Sequence, residues 1–210
     1  MKKVILLAFL MGVFVFMWFV VAESGRMNSS VHLNKGWNLV SGLIGREIIL
    51  QGDISKDNLE AIYAFIPQVQ TYIRIYPNPE TDKLRSLGDV DDYIKYSALW
   101  VYSNKEGVLN YKPVDSLALK DNPLFTGWNF VAITYDMLGN GGYPRLRDLA
   151  GTCNIQKAYF FNPEEQNWNT FPMDEDFSSD ALNTGIVIQV SNDCKLGTSV
   201  ADVPSVPNLP

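Results

Sequence analysis

The triplet Gly-Trp-Asn occurs twice, as Gly36-Trp37-Asn38 and Gly127-Trp128-Asn129, each time at the head of an apolar run. Two more blocks recur in the same order. Residues 59–77, LEAIYAFIPQVQTYIRIYP, are echoed by residues 155–172, IQKAYFFNPEEQNWNTFP. Tyr63 matches Tyr159, Pro67 matches Pro163 and Tyr72 matches Trp168, all at an offset of 96. Residues 97–104, SALWVYSN, are echoed by GIVIQVSN at an offset of 88, against 91 for the triplet. Chance can supply one such match but not three in order. Small insertions account for the drifting offset, and the pattern predicts two tandem units of roughly 85 residues, 31–115 and 116–198.

This feature constrains the fold more than any other, because whatever one unit forms the other must form too. Each unit reads as mainly β, with short helices between strands. The runs after the triplets are rich in β-branched residues. AIYAFIP and KAYFFNP stop at proline and are followed by QTYIRIYP and NWNTFP, so each pair predicts a hairpin. In the former, Tyr72, Arg74 and Tyr76 alternate with Ile73 and Ile75, which puts the tyrosines on one face. ALWVYSNKEGVLNYKP predicts two strands paired around Asn-Lys-Glu-Gly. TDKLRSLG and PRLRDLAG carry helix start and stop signals, with Pro144 at the start of the latter. In the triplets, Gly36 and Gly127 suit a tight turn or close backbone approach, and Asn38 and Asn129 suit bonding to local backbone. Trp37 and Trp128 are then expected as lids on two cores.

The N-terminus sets the compartment. Residues 4–22 are 19 residues without a polar side chain, preceded by Lys2 and Lys3. A spanning helix needs about 17–25 apolar residues and a secretory apolar region about 7–15. A retained anchor with the C-terminal part outside fits the length and the flanking charges. A cleavable signal fits Val20 and Ala22, with the cut before Glu23. Both readings export the remainder. Residues 23–30 then form a linker, and residues 199–210 a proline-containing tail expected to be disordered.

The exported part carries 15 basic against 23 acidic side chains, a net charge of −8. Such a surface repels nucleic acid. Cys153 and Cys194 are the only cysteines, and outside the cytoplasm they predict a disulfide. Cys153 precedes one strand and Cys194 follows another. A bridge therefore requires those strands to be antiparallel neighbours or to lie in facing sheets. The corresponding positions of the first unit are Asp57 and Glu106, so the bridge belongs to one unit alone.

Signals for chemistry are sparse. The single histidine, His32, sits just before the first strand and reads as a surface residue. The glycines of LGNGGYP lack the spacing of a phosphate loop. Carboxylate runs at Asp89, Asp91 and Asp92 and at Asp174, Asp176 and Asp180 offer oxygen ligands of the kind calcium takes, without the EF-hand pattern. A solvated acidic loop is the simpler reading of both, and no other cofactor is expected. Tyr72, Tyr76 and Trp168, with Trp37, Trp100 and Trp128, could form a sugar-stacking platform, against the default of aromatic core and cross-strand pairs. Asn28, in Asn-Ser-Ser, is a formal glycosylation acceptor.

GWNLVS, then AIYAF with its proline, then LWVYS resembles the GWN-type β-repeat modules of archaeal and bacterial cell-surface proteins. The second unit departs from that pattern, with Ile188-Gln189-Val190 where the first has Trp100-Val101-Tyr102. The resemblance implies an extracellular, non-catalytic module and transfers no catalytic residue. The sequence thus predicts a structural or adhesive envelope protein, not an enzyme, held at the membrane through residues 4–22. Its partners would be other envelope proteins or glycans. A glycan-binding module is the alternative, and a pilus-like subunit a third.

Overall fold

A computed structural model describes residues 29–41, 51–52, 54–86, 97–111, 122–139 and 144–197. The apolar stretch 4–22, Asn28, the carboxylates Asp89, Asp91 and Asp92, residues 140–143 of the glycine-rich turn and the tail 199–210 lie outside these residues. Among the described residues no helix is long and apolar enough to cross a membrane.

The described chain is mainly β and its sheets are antiparallel. In chain order the strands are β1 (Ser29–Leu33), β2 (Gly36–Ser41), β3 (Gln51–Gly52), β4 (Leu59–Ile66), β5 (Thr71–Tyr76), β6 (Ala98–Ser103) and β7 (Gly107–Tyr111). They continue with β8 (Pro123–Leu124), β9 (Gly127–Ala132), β10 (Ile155–Asn162), β11 (Asn167–Thr170), β12 (Gly185–Val190) and β13 (Cys194–Lys195). Two short α-helices are described, α1 (Thr81–Ser86) and α2 (Leu146–Leu149). With Arg145 as N-cap, α2 begins at Leu146, two residues later than the proline signal suggests.

Two four-stranded sheets carry the architecture, ordered β2-β6-β4-β5 and β9-β12-β10-β11. Their registers coincide down to an irregularity. The β4–β6 ladder shifts between Leu59 and Ala61, and the β10–β12 ladder shifts between Ile155 and Lys157, 96 positions on. Pairing with β2 and β9 aligns Ala98 with Gly185 and Trp100 with Val187. The structural offset of this block is therefore 87, one less than the sequence match gives. The difference matters because a one-residue slip exchanges the faces of a strand. Ile188 belongs to the apolar core behind its own sheet, whereas Trp100 faces the opposite sheet.

Each four-stranded sheet has a core of its own behind it. Behind the first, Val40, Ile62, Ile73, Leu99 and Val101 meet Val31, Leu33 and Leu109 from the sheet β1-β7-β3. Behind the second, Val131, Ala158, Ile186 and Ile188 meet Leu146 and Leu149 of α2, Met137, Phe177 and the β8–β13 strip. A third cluster joins the inner faces: Leu39, Phe65 and Ala98 against Phe130 and Val187. The result is sandwich-like, with a layer at either outer face.

Here β6 and β7 are both strands, as the sequence suggests, but they do not pair with each other. Instead β7 pairs with β1 and β3. The hydroxyl of Ser103 donates to the Lys105 carbonyl at 2.6 Å, turning the chain out of the first sheet. The expected β4–β5 and β10–β11 hairpins do form. The disulfide joins Cys153 to Cys194 across a Cα separation of 5.0 Å, and β10 and β12 are antiparallel neighbours.

At the centre of the interface, Gly185 sits where a Cβ would fall on the Cβ of Ala98 and lie 2.8 Å from Cγ of Leu39. Beside it, β2 continues its bonding across the interface. The Ser41 amide donates to the Asn183 carbonyl at 2.9 Å, and Val40 bridges to Thr184. In the opposite direction Ser97 bridges to Val131.

Candidate functional site

The two triplets act on the backbone first. Asn38 is buried; its amide donates to the carbonyls of Asn34 and Gly36 and accepts from the Asn34 amide at 2.8 Å. Asn129 does the same with Phe125 and Gly127. These bonds hold Gly36 at φ 106° and Gly127 at φ 101°, conformations that L side chains rarely adopt.

Alternation then sends Trp37 and Trp128 to the inner faces, where Trp128 packs against the central cluster and Trp37 lines the cleft. Each tryptophan backbone is gripped by the opposite half. Oε1 of Gln166 accepts from the Trp37 amide at 2.8 Å, and its Nε2 donates to the Trp37 carbonyl at 3.0 Å. Gln70 makes the same pair with Trp128, at 2.8 and 3.0 Å. Both glutamines also donate to the proline carbonyl of their own turn, Pro67 or Pro163, at 2.6 Å. Both sit at positive φ, 47° and 54°.

Such a conformation costs a non-glycine residue about 1–2 kcal/mol. Three side-chain hydrogen bonds, each worth about 1 kcal/mol net, offset it. The clasp also covers the outward backbone groups of β2 and β9, the edge strands of their sheets. A Cβ on Gly36 would lie 2.7 Å from Oε1 of Gln166, and one on Gly127 would lie 2.7 Å from Oε1 of Gln70, so only glycine admits the grip.

Around the clasps lie two related concavities of about 510 Å³ each. One is lined by Trp37, Tyr63, Trp100, Phe161 and Gln166; the other by Trp128, Tyr159, Phe65, Phe130 and Gln70. They share Tyr72 and Trp168, so together they form one aromatic cleft. Equivalent ring pairs have closely similar spacing: Trp37–Tyr63 and Trp128–Tyr159 at 6.1 and 6.0 Å, Phe65–Tyr72 and Phe161–Trp168 at 5.0 and 5.4 Å.

The inner layer breaks this symmetry in one respect. In the first sheet the cross-strand pair is Leu39–Trp100; in the second it is Phe130–Val187. Small and large have changed strands. Trp100 reaches across to Phe161 and Trp168 at 4.7 and 5.4 Å, and Phe130 to Phe65 and Tyr72 at 4.8 and 5.7 Å. Burial holds the Tyr72 phenol above its ordinary pKa, against a smaller opposing influence of the neighbouring Trp100 indole.

Of the sequence-predicted aromatics, Tyr72 and Trp168 meet in the cleft, 45% and 43% exposed. Tyr76 is not with them. The β4–β5 register shifts between Ile62 and Tyr63, which brings Tyr76 opposite Ile62 and packs it against the first outer core. A bulge reverses the strict alternation that placed it beside Tyr72. Asp174, Asp176 and Asp180 do not converge on one point. Asp174 pairs with Arg147 at 2.8 Å, Asp176 bridges to Arg145 through the backbone, and the Asp180 amide is bound by Ser178. Among the described residues no group of three or more His, Cys, Asp or Glu side chains is placed to hold a metal. His32 lies on the surface, 3.3 Å from Glu106.

Gln70 and Gln166 were not singled out from sequence. The signal was present, since each stands three residues after the repeated proline at the common offset of 96. In comparisons with known proteins, the chain matches no protein family, no curated protein and no solved structure.

Proposed function

We propose that the protein is a non-catalytic structural or adhesive module of the cell envelope, formed by tandem duplication of one β-unit and making contact through its aromatic cleft. Residues 4–22 hold it at the membrane, or direct its secretion if the chain is cut before Glu23. The observation that carries this reading is the cleft itself. Two exposed rings, Tyr72 and Trp168, stand at the junction of two halves that grip each other reciprocally through Gln70 and Gln166. A rigid frame presenting a few aromatic anchors is the arrangement that concentrates binding energy in a small area. The disulfide and the acidic surface suit an extracellular setting.

The test is attachment of the full chain to isolated envelope material. Tyr72→Ala with Trp168→Ala should abolish attachment at a temperature where the variant's unfolding curve shows it still folded. Undiminished attachment would sink the reading. A glycan-binding module is the second reading, favoured by the two exposed rings, whose flat faces suit sugar stacking. Retention of the chain on immobilised polysaccharide, lost in the same double variant, would support it.

A further inference from the structure

We infer that the aromatic cleft is a docking groove for a polyproline II segment, and that its occupant is residues 203–210 of the same chain. The inference rests on the cleft being a contact surface: the segment covers the same rings until an envelope partner displaces it.

The sequence of the segment carries the first observation. Residues 202–210 read Asp-Val-Pro, Ser-Val-Pro, Asn-Leu-Pro: a polar, an apolar and a proline residue, three times over. Polyproline II has three residues per turn and 3.1 Å of rise per residue. In that conformation Pro204, Pro207 and Pro210 would share one edge, Val203, Val206 and Leu209 a second, and Asp202, Ser205 and Asn208 the third. Two adjacent apolar edges and one polar edge suit a ligand that lies along an aromatic groove and leaves one side in water.

The chemistry of the cleft carries the second. Its lining is dominated by Trp, Tyr and Phe rings, and its two amide side chains are already committed. Both Gln70 and Gln166 spend their donors on a proline carbonyl and a tryptophan carbonyl. A sugar brings many hydroxyls that each need a partner once water is displaced. A proline segment lacks amide donors at every third position and offers ring methylenes to aromatic faces.

Reach is the third. Gly197 is anchored by donation to the Leu149 carbonyl at 2.8 Å. It lies two residues beyond β13, which pairs with β8 four residues before Trp128. Five residues, 198–202, tether Gly197 to the start of the segment, roughly 19 Å over six steps at the polyproline rise. Tethering then gives the segment a high effective concentration at its own cleft.

The test compares the full chain with a full-length variant carrying Pro204→Asp, Pro207→Asp and Pro210→Asp. Acrylamide quenching of tryptophan emission is the readout, and a synthetic peptide of residues 200–210 is the probe. The expected result is stronger quenching in the triple variant at every protein concentration. The peptide should restore protection to that variant, and Trp168→Ala in the same background should weaken peptide binding at least about tenfold. Equal quenching in both chains with no peptide binding overturns the inference. So does equal binding of a peptide with aspartate at all three prolines. Protection that appears only as protein concentration rises assigns the segment to a second copy and overturns the intramolecular form. A β-linked oligosaccharide that protects the triple variant better than the peptide does assigns the cleft to sugars and overturns it too. Envelope attachment separates the two ideas: if the peptide fails but the triple variant still attaches, only this inference falls, and if attachment fails as well, both fall.

Discussion

The first four-stranded sheet is backed by another sheet, β1-β7-β3, whereas the second is backed by α2, loops and a short strip tied by Cys153–Cys194. Their inner faces, by contrast, match in strand order, bulge, clasp and ring spacing. The difference separates two demands on the same β-unit. An outer face needs only an apolar cover, and several covers will do. An inner face must fit its counterpart, so its geometry is tied to that of the other half. Even its one asymmetry is paired: Trp100 with Leu39 in one sheet is answered by Val187 with Phe130 in the other.

Four experiments would break or sharpen this contrast, from the largest expected effect to the smallest. Removing the disulfide by Cys153→Ala with Cys194→Ala should cost about 4 kcal/mol by loop-closure entropy, concentrated in the second half. Hydrogen exchange should then show α2 and β13 opening before β1 and β7; uniform loosening of both halves would contradict the idea of independent outer cores. Next, Trp100→Ala should cost about 3 kcal/mol in chemical denaturation, since it strips the inner layer of its contacts to both Phe161 and Trp168. Val187→Ala, at the equivalent position, should cost roughly 1–2 kcal/mol, because fewer buried methyl groups are lost.

Gly36→Ala and Gly127→Ala should each cost about 2 kcal/mol, through positive φ and displacement of the opposing glutamine. Equal values would confirm that the clasps are equivalent. A twofold disparity would show that one half leans on its clasp more than the other does. The smallest effect concerns pH. The backbone and side chain of Thr126, each at 2.8 Å, hold the Asp193 carboxyl below the ordinary aspartate range. A depressed folded value contributes stability that is complete above the unfolded pKa and is lost as pH falls through the folded one. Asp193→Asn should therefore lower Tm slightly at neutral pH and converge with the parent in strong acid. A gap that stays constant down to the acid limit would refute the assignment.

Much of this was legible in the sequence because it is local or periodic. The hairpins, the strand runs, the glycine conformations and the asparagine-to-backbone bonds follow from residue type and spacing. The disulfide followed from there being two cysteines, one before and one after strands expected to be neighbours. Where the reading failed, long-range geometry was responsible. The β5 bulge turned Tyr76 away from Tyr72. Pairing, not residue identity, fixed the offset of the β6 and β12 block at 87. The β7 strand left its sequence neighbour β6 for β1 and β3, because a strand joins the sheet that completes a buried face.

The sequence alone therefore pointed to two similar units and to the strands each is built from, although β1 starts at Ser29, inside the stretch expected as a linker. It could do so because repetition, alternation and turn chemistry are written within a few residues. Only the tertiary structure decided how the units meet. Nothing in the order of residues says that Gln166 closes on Trp37 across 129 positions, or that Tyr72 and Trp168 come to share one cleft. Those facts depend on two sheets packing face to face at Ala98 and Gly185, where the absence of a side chain sets how closely they approach.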